Sequence, residues 1–256
     1  MAIQHLATIA LLGFATSVLG GIVGIGGAVI LIPAFLVVPP LLGQPPLDMY
    51  TISGITSVQV LASSALGAVL HSRRGAFDRR LVVAVGVPLM AASFIGAALS
   101  GMVSARALET FFGAMAIVGA VLMLLRRQDS ETTEYRLHYG RAIAVAVPVG
   151  LFGGMVGMAG GFLLSPLLVT VVGVPLRVTI GSTLGIVIIG AAAAAVGKAV
   201  AGMIEPVATV AAIVGALPGM WLGVRISHRL HVGHLRWILA LIIAAIGIGM
   251  LVRVMS

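Results

Sequence analysis

The chain has 256 residues, of which 60% are hydrophobic and only 9% charged, with a net charge of +8 and no cysteine. A soluble domain carries roughly 25% charged residues, so a soluble fold is excluded, and without cysteine there are no disulfides, thiolate metal sites or cysteine nucleophiles. The positive charge does not mark a nucleic-acid binder, because the basic residues sit in short clusters between apolar runs and no basic helix or aromatic-interleaved patch exists.

The apolar runs are 2–43, 51–70, 81–104, 107–125, 142–175, 178–200, 206–224 and 235–252. A membrane-spanning helix needs about 20 apolar residues, so the runs predict an all-α polytopic membrane protein. The stretch Met1 to His5 has no Lys or Arg, unlike the start of a signal peptide, so the first run reads as a membrane helix. That run is too long for one crossing and must fold back. The natural place is Gly20-Gly21-Ile22-Val23-Gly24-Ile25-Gly26-Gly27, which Pro33 follows.

After this hairpin comes a run carrying Thr51, Ser53, Thr56, Ser57 and Gln59, preceded by Asp48 in a loop beside Pro45 and Pro46. The third and fourth runs hold Ser93, Gly96, Ser100 and Glu109. A polar segment, 127–140, follows with Asp129, Glu131 and Glu134. It divides the chain into a first membrane repeat, 1–126, a linker, 127–140, and a second membrane repeat, 141–256.

The second repeat restates the first. Gly153-Gly154-Met155-Val156-Gly157-Met158-Ala159-Gly160, with Pro166 beyond, lies 133 positions after the first glycine stretch, and seven of fourteen aligned residues are identical. Ser182-Thr183 matches Thr56-Ser57, and Gly223 matches Gly96. Counting both hairpin arms, each repeat has five membrane segments, and an odd number inverts the second repeat relative to the first. Charge agrees. Twelve of the 15 Lys and Arg residues then lie on one side, in the loops 71–80, 126–141, 173–180 and 225–236, leaving Arg106, Lys198 and Arg253 on the other. Four segments per repeat would give a weaker split. The positive-inside rule makes the basic side cytoplasmic and both chain ends outward. The arm 161–174 is short for a full crossing, which favours re-entry there.

A helix broken inside a membrane leaves backbone groups that protein, water or ligand must satisfy, and in transporters paired interruptions point to the substrate site. Glycine admits close backbone approach, and an amide-rich helix start suits an anion. The substrate-binding candidates are therefore Gly24, Gly26, Gly27 and Ala28 with their counterparts Gly157, Ala159, Gly160 and Gly161. The hydroxyls and amide of Thr56, Ser57, Gln59, Ser182 and Thr183 join them, and the two hairpins are expected to meet near the midplane. The alternatives are close helix packing for glycines, which is the better reading of Gly215, Gly219 and Gly223, and back-bonding to the helix for Ser and Thr. Glu109, Lys198 and Glu205 lie near run ends, where they are expected to snorkel. His228, His231 and His234 are spaced by three but have no carboxylate beside them. No nucleophile with a base, paired acids or metal-ligand set occurs in any run, so no catalysis, metal or cofactor is implied.

Gly24-Ile25-Gly26-Gly27-Ala28 with Pro33, the copy Gly157-Met158-Ala159-Gly160-Gly161 with Pro166, and the Ser/Thr pair after each resemble the TauE/SafE sulfite exporter family, also called the 4-toluene sulfonate uptake permease family. The likeness covers nearly the whole chain. It implies an inner-membrane secondary carrier moving sulfite, an organosulfonate or a related anion, often outward, by alternating access. Ala28 stands where a third glycine is often found, and Ala159 departs likewise in the copy. An anion channel and a metal or cation permease are the rival readings. Proton coupling and a homodimer are left open by the sequence, which offers no convincing buried acid to carry protons.

Overall fold

The computed structural model describes residues 3–23, 28–71, 78–125, 135–227, 244 and 247–250. They are helical throughout apart from short connections, with no strand among them. In chain order the helices are α1 (Ile3–Val23), α2 (Ala28–Leu41), α3 (Met49–His71), α4 (Arg79–Leu99), α5 (Ala105–Leu125), α6 (Tyr139–Val156), α7 (Gly161–Leu167), α8 (Leu176–Val200) and α9 (Pro206–Ser227). A 3₁₀ turn, Ser100–Met102, extends α4, and a wider π turn, Leu168–Val172, extends α7. Seven of these helices, all but α2 and α7, are long and apolar enough to cross a membrane. The expected tenth segment, 235–252, lies mostly outside the described residues.

The two short helices are the returning arms of the expected hairpins. At about 1.5 Å per residue, α2 covers about 21 Å and Gly161–Val172 about 18 Å, against a hydrocarbon core of about 30 Å. The α1–α2 hairpin closes on itself: the Gln44 side-chain amide donates to Thr8 Oγ1 at 2.9 Å, so the end of α2 returns to the start of α1.

The most extensive helix pairings join one half of the chain to the other: α1 with α9, α4 with α6 and α8, and α3 with α8 and α9. Small residues allow this. A Cβ on Gly96 would overlap the Leu151 carbonyl, and one on Gly223 would overlap the Val18 carbonyl. Likewise Gly154 lies on the Ser93 backbone and Gly21 on the Met220 backbone. The same contacts thus occur twice with the halves exchanged, at the positions the sequence repeat pairs. Gly215 and Gly219 also press on the α1 backbone, at Ala10 and Phe14, the close packing expected of them.

Direction follows from the contact pairs. Gly215, Gly219 and Gly223 meet Ala10, Phe14 and Val18 in rising order, so α1 and α9 run parallel. Gly150 meets Leu89 and Gly154 meets Ser93, so α6 and α4 run parallel. The connections gather at two ends. Tyr50 donates to the Val103 carbonyl at 2.9 Å, and Gly54 abuts Met203, which collects the starts of α3 and α9 and the ends of α4 and α8 at one end. At the other, Asp78 N donates to Ser182 Oγ at 3.0 Å, and Tyr135 Oη donates to Asp78 Oδ2 at 2.6 Å.

Helix faces sort by chemistry. Val83, Val87, Met90 and Phe94 on α4 are exposed, and so are Val207, Val210, Val214, Leu217 and Trp221 on α9. Their spacing of three and four makes one apolar stripe per helix, as a bilayer-facing surface requires. Ser53, Thr56, Ser57, Gln59, Ser63 and Ser64 on α3 and Thr179, Ser182 and Thr183 on α8 are buried instead, so the polar side chains line the centre of the bundle.

Candidate functional site

The second glycine break is well defined. Helix α6 ends at Gly157, whose φ is +85°, and Ala159 and Gly160 follow with φ of +49° and +63° before α7 begins. Left-handed backbone costs a residue with a Cβ about 1–2 kcal/mol, so glycine is favoured at 157 and 160, and Ala159 is the one strained position of the three. Residues 157–161 are all buried. Gly157 lies directly on the Ser53 backbone.

A broken helix leaves its last carbonyls without partners, and here protein supplies most of them. The Gly153 carbonyl accepts from Met158 N at 2.8 Å and Ala159 N at 3.2 Å, and the Gly154 carbonyl accepts from Gly157 N at 3.1 Å. The Met155 carbonyl accepts from Lys198 Nζ at 2.6 Å. Three of the break's amides, Gly157, Met158 and Ala159, are therefore already used within the turn. The Gly160 carbonyl starts α7 by accepting from Leu163 N and Leu164 N.

Lys198 is the residue the sequence misplaced. It was expected to snorkel from the end of its run, yet it is fully buried. Helical side chains lean toward the helix N-terminus, so a lysine in the last turn of α8 points back into the bundle. Its ammonium donates to Ser53 Oγ at 2.7 Å, Ser100 Oγ at 2.7 Å and the Met155 carbonyl, with Met203 Sδ at 3.6 Å. The signal was present: an ionisable side chain in an apolar run is functional by default. Glu205 and Asp48 instead sit at helix starts. The Glu205 carboxylate accepts from Ala208 N, and Asp48 accepts from Thr51 N at 2.7 Å.

The predicted hydroxyls are buried but turned toward their own helices. Thr56 donates to the Ile52 carbonyl, Ser57 to the Gly54 carbonyl and Thr183 to the Thr179 carbonyl, each at 2.7 Å. Their oxygens keep lone pairs for a further donor but offer no hydrogen in this arrangement. Ser182 Oγ receives the Asp78 amide. Gln59 differs. Its Nε2 donates to Ser17 Oγ at 2.7 Å and Ser63 Oγ at 3.1 Å, while its Oε1 and the neighbouring Ser64 Oγ are buried without a partner. A buried polar atom left unpaired is uncommon and costly, and an amide turned end for end would present its NH₂ there and keep both serines as donors.

The structure therefore joins the second break to Ser53 and Lys198 at one end of α3 and places Gln59, Ser63 and Ser64 further along it. Gly24, Gly26 and Gly27 lie outside the described residues, and Ala28 opens α2. Their flank can be placed: Gly21 lies against Gly223 and Val224, near the end of α9. That is the end of the bundle opposite Ser53. The expectation that both breaks meet near the midplane rests on the first break, which lies outside the described residues; Gly21 and the second break lie toward opposite ends, where the parallel α1–α9 and α4–α6 pairs carry them. Among the described residues, no group of three or more His, Asp or Glu could hold a metal ion. His228, His231 and His234 fall outside them.

Near the start of α3, Asp48, Tyr50, Thr51, Gly101, Met203 and Glu205 line an open cavity of about 610 Å³. Asp78 and Tyr135 mark the other end. The Asp78 carboxyl is held below its usual range, first by the Tyr135 hydrogen bond, against burial that raises it. The Tyr135 phenol is pushed up, first by burial and then by Asp78.

Comparison with known proteins fits this architecture. Residues 9–250 match the family described as "Sulfite exporter TauE/SafE". The chain is 25% identical to "Probable membrane transporter protein YdhB" of Bacillus subtilis over 86% of its own length and 89% of that protein. It is 21% identical to "Probable membrane transporter protein YunE" of the same organism, covering 92% of this chain and 93% of that one. It is also 21% identical to "Probable membrane transporter protein MJ0441" of Methanocaldococcus jannaschii, covering 94% and 93%.

Proposed function

Since the chain belongs to the sulfite exporter TauE/SafE family of membrane transporters, we propose that it is a secondary carrier exporting a small sulfur-containing oxyanion, sulfite or an organosulfonate, across the cell inner membrane. The family match over residues 9–250 is the observation that carries this reading. The basic loops face the cytoplasm, and the two halves are inverted repeats. Support for inversion comes from the parallel α1–α9 and α4–α6 pairs, with α9 starting at the end where α4 finishes.

The anion travels along the seam between α3 and α8. Its ligands are Thr56, Ser57 and Gln59 from one half and Ser182 and Thr183 from the other, once the Thr56, Ser57 and Thr183 hydroxyls turn from their own helix carbonyls. Backbone amides at Gly24, Gly26, Gly27 and Ala28 and at Gly160 and Gly161 join them, while the Gly157 and Ala159 amides hold the turn itself. The unpaired polar atoms of Gln59 and Ser64 support a ligand at the middle of the seam. Rocking of one half against the other alternates access, with the short arms α2 and α7 as the moving parts.

Flux of labelled sulfite and organosulfonates into proteoliposomes tests this. The reading expects saturable flux of at least one of them, reduced at least ten-fold by Gly160→Leu and by Gly27→Leu in folded protein. Flux unchanged in both variants would remove the breaks from the site, and conductance that never saturates would favour a channel.

A further inference from the structure

Lys198 is a buried cation that the proposed function does not use. Its three ammonium hydrogens are matched by three acceptors, Ser53 Oγ, Ser100 Oγ and the Met155 carbonyl. Each serine has an acceptor of its own for the hydroxyl hydrogen. Ser53 donates its own to the Tyr50 carbonyl at 2.8 Å, and Ser100 to the Ala97 carbonyl at 2.6 Å. A neutral amine has two hydrogens and a lone pair, so it would leave one of these acceptors empty and find no donor for its lone pair. The cage is built for the charged form.

All three partners are neutral, and no carboxylate among the described residues pairs with Lys198. The hydrogen bonds are satisfied while the charge is not. Buried charges are ordinarily paired. The fourth neighbour is the Met203 thioether at 3.6 Å, a poor ligand for an ammonium. Met203 also lines the 610 Å³ cavity, as does Gly101, next in chain to Ser100. Met203 thus touches both the uncompensated charge and the wall of an open cavity. The acids at that cavity, Asp48 and Glu205, cap the starts of α3 and α9, where helix N-terminal dipoles offset them.

We propose that Lys198 is the counter-charge of an anion site, reached through this cavity when Met203 swings aside. The site takes a small oxyanion, whose oxygens share the ammonium hydrogens with Ser53 and Ser100. It rests on the reading of the protein as an anion carrier and adds the charged ligand that the sequence motifs lacked. It also links occupancy to the hairpin, because the Met155 carbonyl that Lys198 holds lies two residues before the break at Gly157.

The test uses purified full-length protein with sulfite as the probe. Binding is read by calorimetry and by the sulfite-dependent rise in unfolding temperature, and proteoliposome flux is measured in parallel. Lys198→Gln is expected to weaken sulfite binding at least ten-fold and to abolish the sulfite-dependent rise. A lysine that only braces the fold would lower the unfolding temperature of the free protein and leave that rise intact, which overturns the proposal. Gly101→Phe, whose ring would occupy the cavity and press on the Met203 methyl that must swing aside, serves if Lys198→Gln does not fold. It is expected to cut sulfite binding similarly, and unchanged binding in a folded Gly101→Phe also overturns the proposal. Saturable sulfite flux by wild type together with unaltered binding in these variants removes the Lys198 site and leaves the carrier. A wild type that neither binds nor moves sulfite or an organosulfonate removes both.

Discussion

Replacing Gly157 by alanine should be among the most damaging single-methyl changes in this protein, and its cost can be separated into parts. At φ of +85° an alanine carries a left-handed penalty of about 1–2 kcal/mol. Its Cβ would also overlap the Ser53 carbonyl, which is backbone and cannot rotate away. Forcing an extra carbon into a packed contact costs about 1–3 kcal/mol, so the sum is about 2–5 kcal/mol. Two controls isolate the parts. Gly173 has φ of +80° with nothing within 4 Å of the added carbon, so Gly173→Ala carries only the backbone penalty. Gly96 is helical and lies on the Leu151 carbonyl, so Gly96→Ala carries only the overlap. For a chain of this size 1 kcal/mol moves the unfolding temperature by about 2–4 °C. Thermal unfolding in detergent should therefore rank Gly157→Ala worst, lower by about 4–20 °C, then Gly96→Ala, then Gly173→Ala. A Gly157→Ala protein that melts with Gly173→Ala would show that the break does not lie on α3, and the reasoning fails.

The absence of cysteine makes single-cysteine labelling direct: Leu42→Cys and Met102→Cys should react from one face of the membrane, and Gly140→Cys and Gly173→Cys from the other. Any mixing of these pairs refutes the inverted arrangement. Tyr135→Phe should remove the hydrogen bond that depresses the Asp78 carboxyl. A carboxyl lowered in the folded state stabilises above its unfolded value, about 4, and loses that contribution as pH falls through the folded value. The stability gap between wild type and Tyr135→Phe should therefore shrink below about pH 4, and a gap equally large at pH 3 and pH 7 contradicts the link. Gln59→Leu replaces an amide holding Ser17 and Ser63 and should reduce sulfite flux at least ten-fold while leaving the protein folded. Full flux in Gln59→Leu would remove this residue from the path.

The helical class, the hairpins and the paired positions were legible because the bilayer leaves few choices. Runs of about 20 apolar residues cross, and a run too long for one crossing must turn at its weakest helix formers, which are the glycines at 20–27 and 153–160. Gly96 and Gly223 matched in the sequence because each must pass a backbone carbonyl of the opposite half. The position of the second break in the bundle was not legible. That depends on the register of α1 against α9 and of α6 against α4, which is set by long-range packing and not by spacing along the chain. The serines and threonines were found as buried, but not which way their hydrogens point, since a hydroxyl in a helix can bond back to its own carbonyl. Lys198 was misread for a similar reason. Its distance from the end of the run suggested escape to the interface, whereas the lean of a helical side chain, with acceptors on α3, α4 and α6, draws it inward.

The most direct test of the central claim is counterflow. Vesicles holding the protein and labelled sulfite are diluted into buffer with or without unlabelled sulfite. A carrier whose halves alternate around a bound anion returns faster loaded than empty, so external sulfite should accelerate efflux of the label, and the acceleration should saturate. Labelled efflux indifferent to external sulfite and rising linearly with the gradient would contradict alternating access, and absence of sulfite or organosulfonate efflux would contradict the substrate class.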